Sequence, residues 1–397
     1  MDLPGWFARY AGYRYGGADP RARDAWRALH DTAYRHHARL YGFAHDSLFA
    51  ARPDLAATRA GQYGPTELTY DPARFDAALD GLLETAPALR GGDAYRHDLV
   101  DVARQALANR SRVLLPQLRT AYEGGDLGTF RELSALWLRL MTLTDELAGT
   151  HRMFLLGPWT DAARRMAASP GEEAELERTA RVLLTVWGER ATADAGKLHD
   201  YANRDWQGLT GDFYLPRWRL LLDELDAALA SGRGPAPIDW YAVEEPWTRE
   251  RREYPLRPSG DPYATALRVR DSLARAPYQG RLEAASEPAA LEPGGRGMLT
   301  ASFTNTNGLR AAGPVEFALS TGSTGLQAVP LDPTTVDRVP PGGRARVRWR
   351  TTAPGLAADR TAAGAVVRPD GAVRARGRRA PGPRRAWRLA VPGRAAA

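Results

Sequence analysis

Cysteine is absent from this 397-residue chain, and lysine nearly so: Lys197 is the only one among 54 basic residues. Without cysteine there are no disulfides, no thiolate metal sites and no sulfur nucleophile, although the compartment stays open because secreted proteins can also lack it. No apolar run approaches the roughly 20 residues a membrane helix needs, so no membrane span is expected. The opening Met1-Asp2-Leu3-Pro4-Gly5-Trp6 lacks the basic and apolar regions of a signal peptide. Short catalytic signatures are missing too: there is no G-x-S-x-G elbow, Walker loop, G-x-G-x-x-G or H-E-x-x-H.

What is there is ordinary globular composition, 44% hydrophobic and 25% charged, enough for two or three domains with real cores. The net charge of +7 is unevenly spread. Residues 280–397 hold 18 arginines against 8 acids, whereas residues 1–279 hold 36 basic residues against 39 acids. No helix-turn-helix, zinc or RNA-binding motif accompanies the excess, so nucleic acid is not an expected partner and the arginines read as a compositional preference. Among the seven histidines only His36 and His37 are adjacent. Neighbours on a helix point about 100° apart, so no metal site and no cofactor are expected.

Residues 1–278 carry a helical grammar. After Asp71-Pro72, an N-cap followed by a proline suited to the first turn, Phe75, Leu79, Leu82, Leu83 and Ala86 recur on one face. Ser169-Pro170-Gly171-Glu172 reads as a capping box, followed by a stripe of Leu176, Ala180, Leu183, Leu184 and Trp187. Further stripes predict eight to ten helices in an irregular bundle or array. Asp145-Glu146, Glu172-Glu173 and Glu244-Glu245 are sequence neighbours, so each pair should diverge into solvent rather than form a catalytic dyad.

From 279 to 397 short alternating runs separated by Gly and Pro predict a small all-β domain: Met298–Asn305, Val315–Leu319, Arg344–Arg350, Ala363–Arg368 and Ala386–Val391. An immunoglobulin-like sandwich is the expected architecture, with a ragged edge over Arg374–Arg385.

The most informative stretch runs from His199-Asp200-Tyr201-Ala202-Asn203-Arg204-Asp205-Trp206-Gln207-Gly208 through Leu209-Thr210-Gly211-Asp212-Phe213-Tyr214-Leu215-Pro216-Arg217-Trp218. Upstream lie Trp187-Gly188, Phe154-Leu155-Leu156-Gly157-Pro158-Trp159, Tyr95-Arg96-His97-Asp98-Leu99 and Ser47-Leu48 before Arg52-Pro53. In order and spacing these segments resemble the C-terminal helical domain of the family 89 glycoside hydrolases, the alpha-N-acetylglucosaminidases, over roughly residues 3–275. The resemblance implies an all-helical domain packed beside a (β/α)8 barrel, in the same parent protein or on a separate chain. In that family the barrel supplies both catalytic glutamates for retaining hydrolysis of terminal alpha-linked N-acetylglucosamine.

This chain opens downstream of the barrel, so the resemblance assigns it no catalytic residue and implies that it is inactive alone. It also implies a glycan as substrate, and a secreted parent protein. One binding residue follows from it: Tyr70, in Leu68-Thr69-Tyr70-Asp71-Pro72, matches the tyrosine of a Trp-Tyr pair that reaches the sugar pocket, with Thr69 in place of the tryptophan. A residue before an N-cap can equally be a hydrophobic staple on its own helix. The Tyr201–Trp218 stretch likewise reads either as a wall near the barrel or as a buried structural corner, the latter favoured by its aromatic spacing. The alternative for the whole chain is a non-catalytic carbohydrate-binding or scaffold protein derived from that family.

Overall fold

The computed structural model describes residues 2–35, 46–66, 68–70 and 72–275, and, further on, 280–287, 291, 294–305, 315–320, 327–340, 343–353, 372–377 and 385–390. The chain divides into two compact units, 1–277 and 278–397. No described helix is long and apolar enough to cross a membrane.

Ten α-helices are found among the described residues: α1 (Leu3–Tyr15), α2 (Pro20–Asp31), α3 (Pro72–Glu84), α4 (Asp93–Glu123), α5 (Leu127–Ala148), α6 (Gly157–Arg165), α7 (Pro170–Leu184), α8 (Leu215–Ser231), α9 (Trp240–Arg249) and α10 (Pro262–Arg275). Their starts follow local chemistry. Asp2, Asp19, Asp126, Ser169 and Asp239 each accept a first-turn N–H, and proline occupies the first turn of α1, α2, α6, α7 and α8. The expected cap Asp71 lies outside the described residues, but Phe75, Leu79, Leu82 and Leu83 of α3 are buried as the spacing requires.

The centre of the first unit is aromatic. A single 3₁₀ turn, Leu48–Ala50, is threaded beneath α4, α5 and α8, with Phe49 and Trp218 flanking Trp137 at ring separations of 4.6 Å. Trp218 Nε1 donates to the Phe49 carbonyl (3.0 Å), and Ser111 Oγ accepts from the Leu48 amide (2.9 Å). These bonds satisfy a buried loop that would otherwise leave peptide groups unpaired.

Helix α7 departs from the expected stripe. Its buried face is Glu177, Ala180, Arg181 and Leu184, while Leu183 is exposed and Trp187 lies beyond the helix at φ 63°. The reason is an ion pair: Arg181 Nη2 donates to Glu177 Oε1 (2.9 Å) and to the Arg252 carbonyl (2.8 Å), its guanidinium lying over the Trp247 and Tyr254 rings. Ala180 and Leu184 of the expected stripe are buried, and a paired, stacked arginine joins them where the stripe had Leu183.

The second unit holds two four-stranded antiparallel sheets. One has the order β1 (Gly280–Glu287), β2 (Arg296–Asn305), β6 (Arg344–Thr352), β4 (Gln327–Pro330); the other runs β5 (Thr335–Val336), β3 (Val315–Ser320), β7 (Ala372–Gly377), β8 (Arg385–Ala390). A shared apolar cluster draws Leu299, Phe303, Val347 and Trp349 from the first sheet and Val315 and Phe317 from the second. The expected ragged edge contains a strand: β7 pairs in full register with both β3 and β8. The expected strand at Ala363–Arg368 lies outside the described residues.

Candidate functional site

Tyr70 stands two residues before the first residue of α3 and is half-buried. Its ring stacks on Phe75 at 5.6 Å, the geometry of a residue clamping the entry of its own helix. Its hydroxyl does not hang free. It donates to Asn109 Oδ1 on α4 (3.1 Å), which also accepts from Gln105 Nε2 (3.0 Å), and burial pushes the phenol up to about 12. Asn109 is 1% exposed, and its Nδ2 has no partner among the described residues. Thr69 beside it is exposed.

Below Tyr70, α4 carries a polar row, Asp101, Arg104, Gln105, Asn109 and Arg112, at spacings that share one helix face. Arg112 forms an ion pair with Asp46 and donates to the carbonyls of Asp46 (3.0 Å) and Thr58 (2.8 Å). Asp46 Oδ2 accepts in turn from the Ala60 amide (2.7 Å), so α4 fixes the loop leading toward Tyr70. Arg104 joins Asp101 (2.6 Å) and, at 3.4 Å, Asp205. Asp205 is 4% exposed, and burial raises its carboxyl to about 6.

The Tyr201–Trp218 stretch is predominantly interior. Phe213, Tyr214 and Trp218 are buried, and Trp206 half so. Asp145 of α5 accepts from the amides of Gly208 and Gly211 (2.8 Å each), holding a π-turn over Thr210–Tyr214, and burial raises that carboxyl to about 6. Gly208 has φ 89°, and a Cβ there would meet the Tyr254 ring at 2.6 Å, so only glycine fits.

Arg217, opening α8, is wholly enclosed. It donates to both Asp200 oxygens (2.9 and 3.1 Å) and to Glu244 (2.5 Å), while Arg52 takes the other side of Glu244 (2.6 Å) and reaches Asp194 (2.8 Å). Asp200 holds φ 56°, a left-handed conformation that aspartate tolerates, and its carboxyl is held below the usual range. Burial opposes that lowering, but the Arg217 charge and the bond to His199 outweigh it. The expectation that Glu244-Glu245 is solvated fails for Glu244, which is 1% exposed because two arginines distant in sequence neutralise it.

A separate cavity of about 630 Å³ lies between the Arg52–Ala60 loop, the end of α4 at Tyr122, and Leu221, Leu225 and Trp240; Tyr70 does not line it. Among the described residues no group of His, Asp and Glu could hold a metal ion, and His36 and His37 lie outside them.

A helical unit knitted by interior arginine–carboxylate pairs, with one tyrosine at a helix entry, defines an all-α domain. The chain belongs to the family described as the alpha-N-acetylglucosaminidase (NAGLU) C-terminal domain, whose model matches residues 6–272. It is similar to human alpha-N-acetylglucosaminidase, with 30% identity over 273 residues, 68% of this chain and 35% of that protein. Among solved structures it is similar to the family 89 glycoside hydrolase from Clostridium perfringens in complex with PUGNAc, with TM-score 0.66, 30% identity, and 68% and 32% of the two chains covered. A doubly substituted CpGH89 from Clostridium perfringens, in complex with its substrate GlcNAc-alpha-1,4-galactose, gives TM-score 0.65 at 30% identity. The chain thus spans about a third of the length of these relatives.

Proposed function

We propose that this chain acts as the C-terminal part of an alpha-N-acetylglucosaminidase: its helical unit packs beside a catalytic (β/α)8 barrel, in the same parent protein or on a separate chain, and Tyr70 completes the sugar pocket. The observation that carries this reading is the family match over residues 6–272, with a helical fold that agrees at TM-score 0.66. The state of the acids supports assigning catalysis elsewhere. A retaining glycosidase needs two carboxylates about 5–5.5 Å apart facing one bond. Here the buried acids Asp46, Asp98, Glu177, Asp200, Asp205 and Glu244 each face an arginine, and Asp19 and the half-buried Asp145 accept peptide N–H groups.

Within this reading, Asn109 and Gln105 hold the Tyr70 hydroxyl against α4 until a sugar hydroxyl competes for it. The strands of the second unit are proposed to close into an immunoglobulin-like sandwich. The test is reconstitution: a barrel domain of the family, mixed with or fused to this chain, is assayed on an aryl alpha-N-acetylglucosaminide. Activity that requires both parts supports the reading. A barrel equally active and equally stable without the chain favours the non-catalytic carbohydrate-binding or scaffold alternative.

A further inference from the structure

Two histidines meet near the start of α4, about three turns before the Asn109 that holds Tyr70. His97 follows Asp93 by one turn on α4, and His151 comes from the segment after α5. Their rings are 5.3 Å apart and close to perpendicular, and both lie against Phe154, at 5.4 and 5.8 Å. Each ring is fixed by a hydrogen bond that decides where its proton sits. His97 Nδ1 donates to Asp98 Oδ1 (3.1 Å), a carboxylate also held by Arg14 and Tyr15. His151 does the opposite. It is the N-cap of the 3₁₀ turn Arg152–Phe154, and its Nδ1 accepts from the Met153 amide (3.3 Å). An imidazole that accepts at Nδ1 carries its proton on Nε2, which here donates to Asp93 Oδ1 (3.3 Å).

The turn that His151 caps is a strap. The Phe154 carbonyl accepts from the Gln207 amide (2.8 Å), and the Leu156 amide donates to the Gln207 carbonyl (3.1 Å), with Leu155 and Gln207 forming an isolated parallel bridge. Residues 151–156 thereby grip the stretch that Asp145 holds one residue further on, at Gly208. An N-cap works only while it has a lone pair to offer. Imidazolium is a donor at both nitrogens, so a charged His151 would set Nδ1–H against the Met153 N–H. The surrounding charges fix the order in which the two rings take up protons. The bond to Asp98, helped by Asp101, places His97 above its ordinary value although burial and Arg14 oppose it. Burial, the neighbouring His97 and Arg152 hold His151 below its ordinary value, against the pull of Asp93.

We propose that His97 and His151 form a proton-operated latch: residues 151–156 stay clamped on Gln207 while the pair carries at most one proton, and let go when a second arrives. This inference goes beyond the family reading and does not depend on it. A histidine held below its ordinary value in the closed state binds fewer protons there than in the open one. The clamp is therefore at full strength above about pH 6.5 and is lost as pH falls through the His151 value. Asp145 and Asp205, raised to about 6, shift stability in the opposite direction on acidification. A whole-molecule melt mixes the two effects, so the readout has to be local.

The test follows amide hydrogen exchange in the full chain between about pH 7.5 and 4.5, with rates corrected for the intrinsic effect of pH. Protection of residues 153–156 and 207 should fall about tenfold or more on acidification, while residues 133–143 of α5 keep theirs. His151→Asn supplies an N-cap that cannot be protonated and should hold the strap closed throughout. His97→Phe keeps a ring against Phe154 but removes the neighbouring charge, so opening should move to higher pH by about half a unit or more. Should either variant fail to fold, the imidazole Cε1–H resonances of the parent chain decide, since His151 must titrate after His97 and its step must coincide with strap opening. Protection that ignores pH, an opening that survives in His151→Asn, a midpoint unmoved by His97→Phe, or histidine steps in the reverse order would each overturn the latch.

Discussion

At the scale of single residues, Tyr70 has two separable parts, a ring on Phe75 and a hydroxyl on Asn109. Tyr70→Ala should cost roughly 1–2 kcal/mol of stability through the lost staple, and Tyr70→Phe about 1 kcal/mol or less through one hydrogen bond. If the hydroxyl also meets substrate, Tyr70→Phe in the reconstituted enzyme lowers kcat/KM several-fold while the melt barely moves; kinetics that follow the melt alone would remove Tyr70 from the pocket. Arg217→Met leaves Asp200 and Glu244 sharing only Arg52 and His199, and should cost about 3–5 kcal/mol by denaturant titration. Asp145 and Asp205, both raised to about 6, give a pH signature. The native state binds more protons than the unfolded chain between about pH 4 and 6, so these two groups make stability fall as pH rises through that window. Asp145→Asn keeps an oxygen for the Gly208 and Gly211 amides and should flatten that slope in melts from pH 4.5 to 7.5. The packing of Tyr70 on its own helix was legible because its place before a proline-started helix is local. Glu244 was not, because its partner Arg52 is 192 residues away in sequence.

At the scale of elements, the start of α7 was readable from its capping sequence, whereas α4 and α8, which have no side-chain cap, were readable only from their apolar stripes. Ser169 accepts from the Glu172 amide, and the Glu172 carboxylate returns to the Ala168 amide, one residue short of the reciprocal bond the motif implies. The α7 stripe was misread because hydrophobic spacing counts leucines and cannot see that Glu177 and Arg181, four apart, cancel each other's charge in the interior. The π-turns at Ala191–Ala195 and Thr210–Tyr214 have no sequence signal of their own; tertiary bonds such as those to Asp145 impose the second. In the second unit β6 was plain from its alternation, whereas two-residue β5 exists only through its pairing with β3. The link between units is the short segment Ala276-Pro277-Tyr278-Gln279 after α10. Limited proteolysis should release a helical fragment ending between about Ala276 and Glu292, with residues 95–230 resistant. Early cutting within 95–230 would show that the helical unit does not hold together by itself.

At the scale of the whole molecule, the chain assayed alone should show no turnover of an aryl alpha-N-acetylglucosaminide, because its interior acids are committed to arginines and amides. Activity that survives purification and is lost on a point change in this chain would contradict that. The ion-pair lattice around Arg217 has a further consequence, one of timing. Arg52 is made early, Asp200 and Arg217 follow, and Glu244 comes 192 residues after Arg52. At about 5–20 residues per second of synthesis, the arginine waits roughly 10–40 s for the carboxylate that permits its burial. For most of that interval the aromatic centre built on Phe49 and Trp137 lacks Trp218 as well. The nascent chain therefore passes through a long interval with an open, half-apolar interior. Its yield in cells should depend on holding chaperones during that interval more than on the stability of the finished fold.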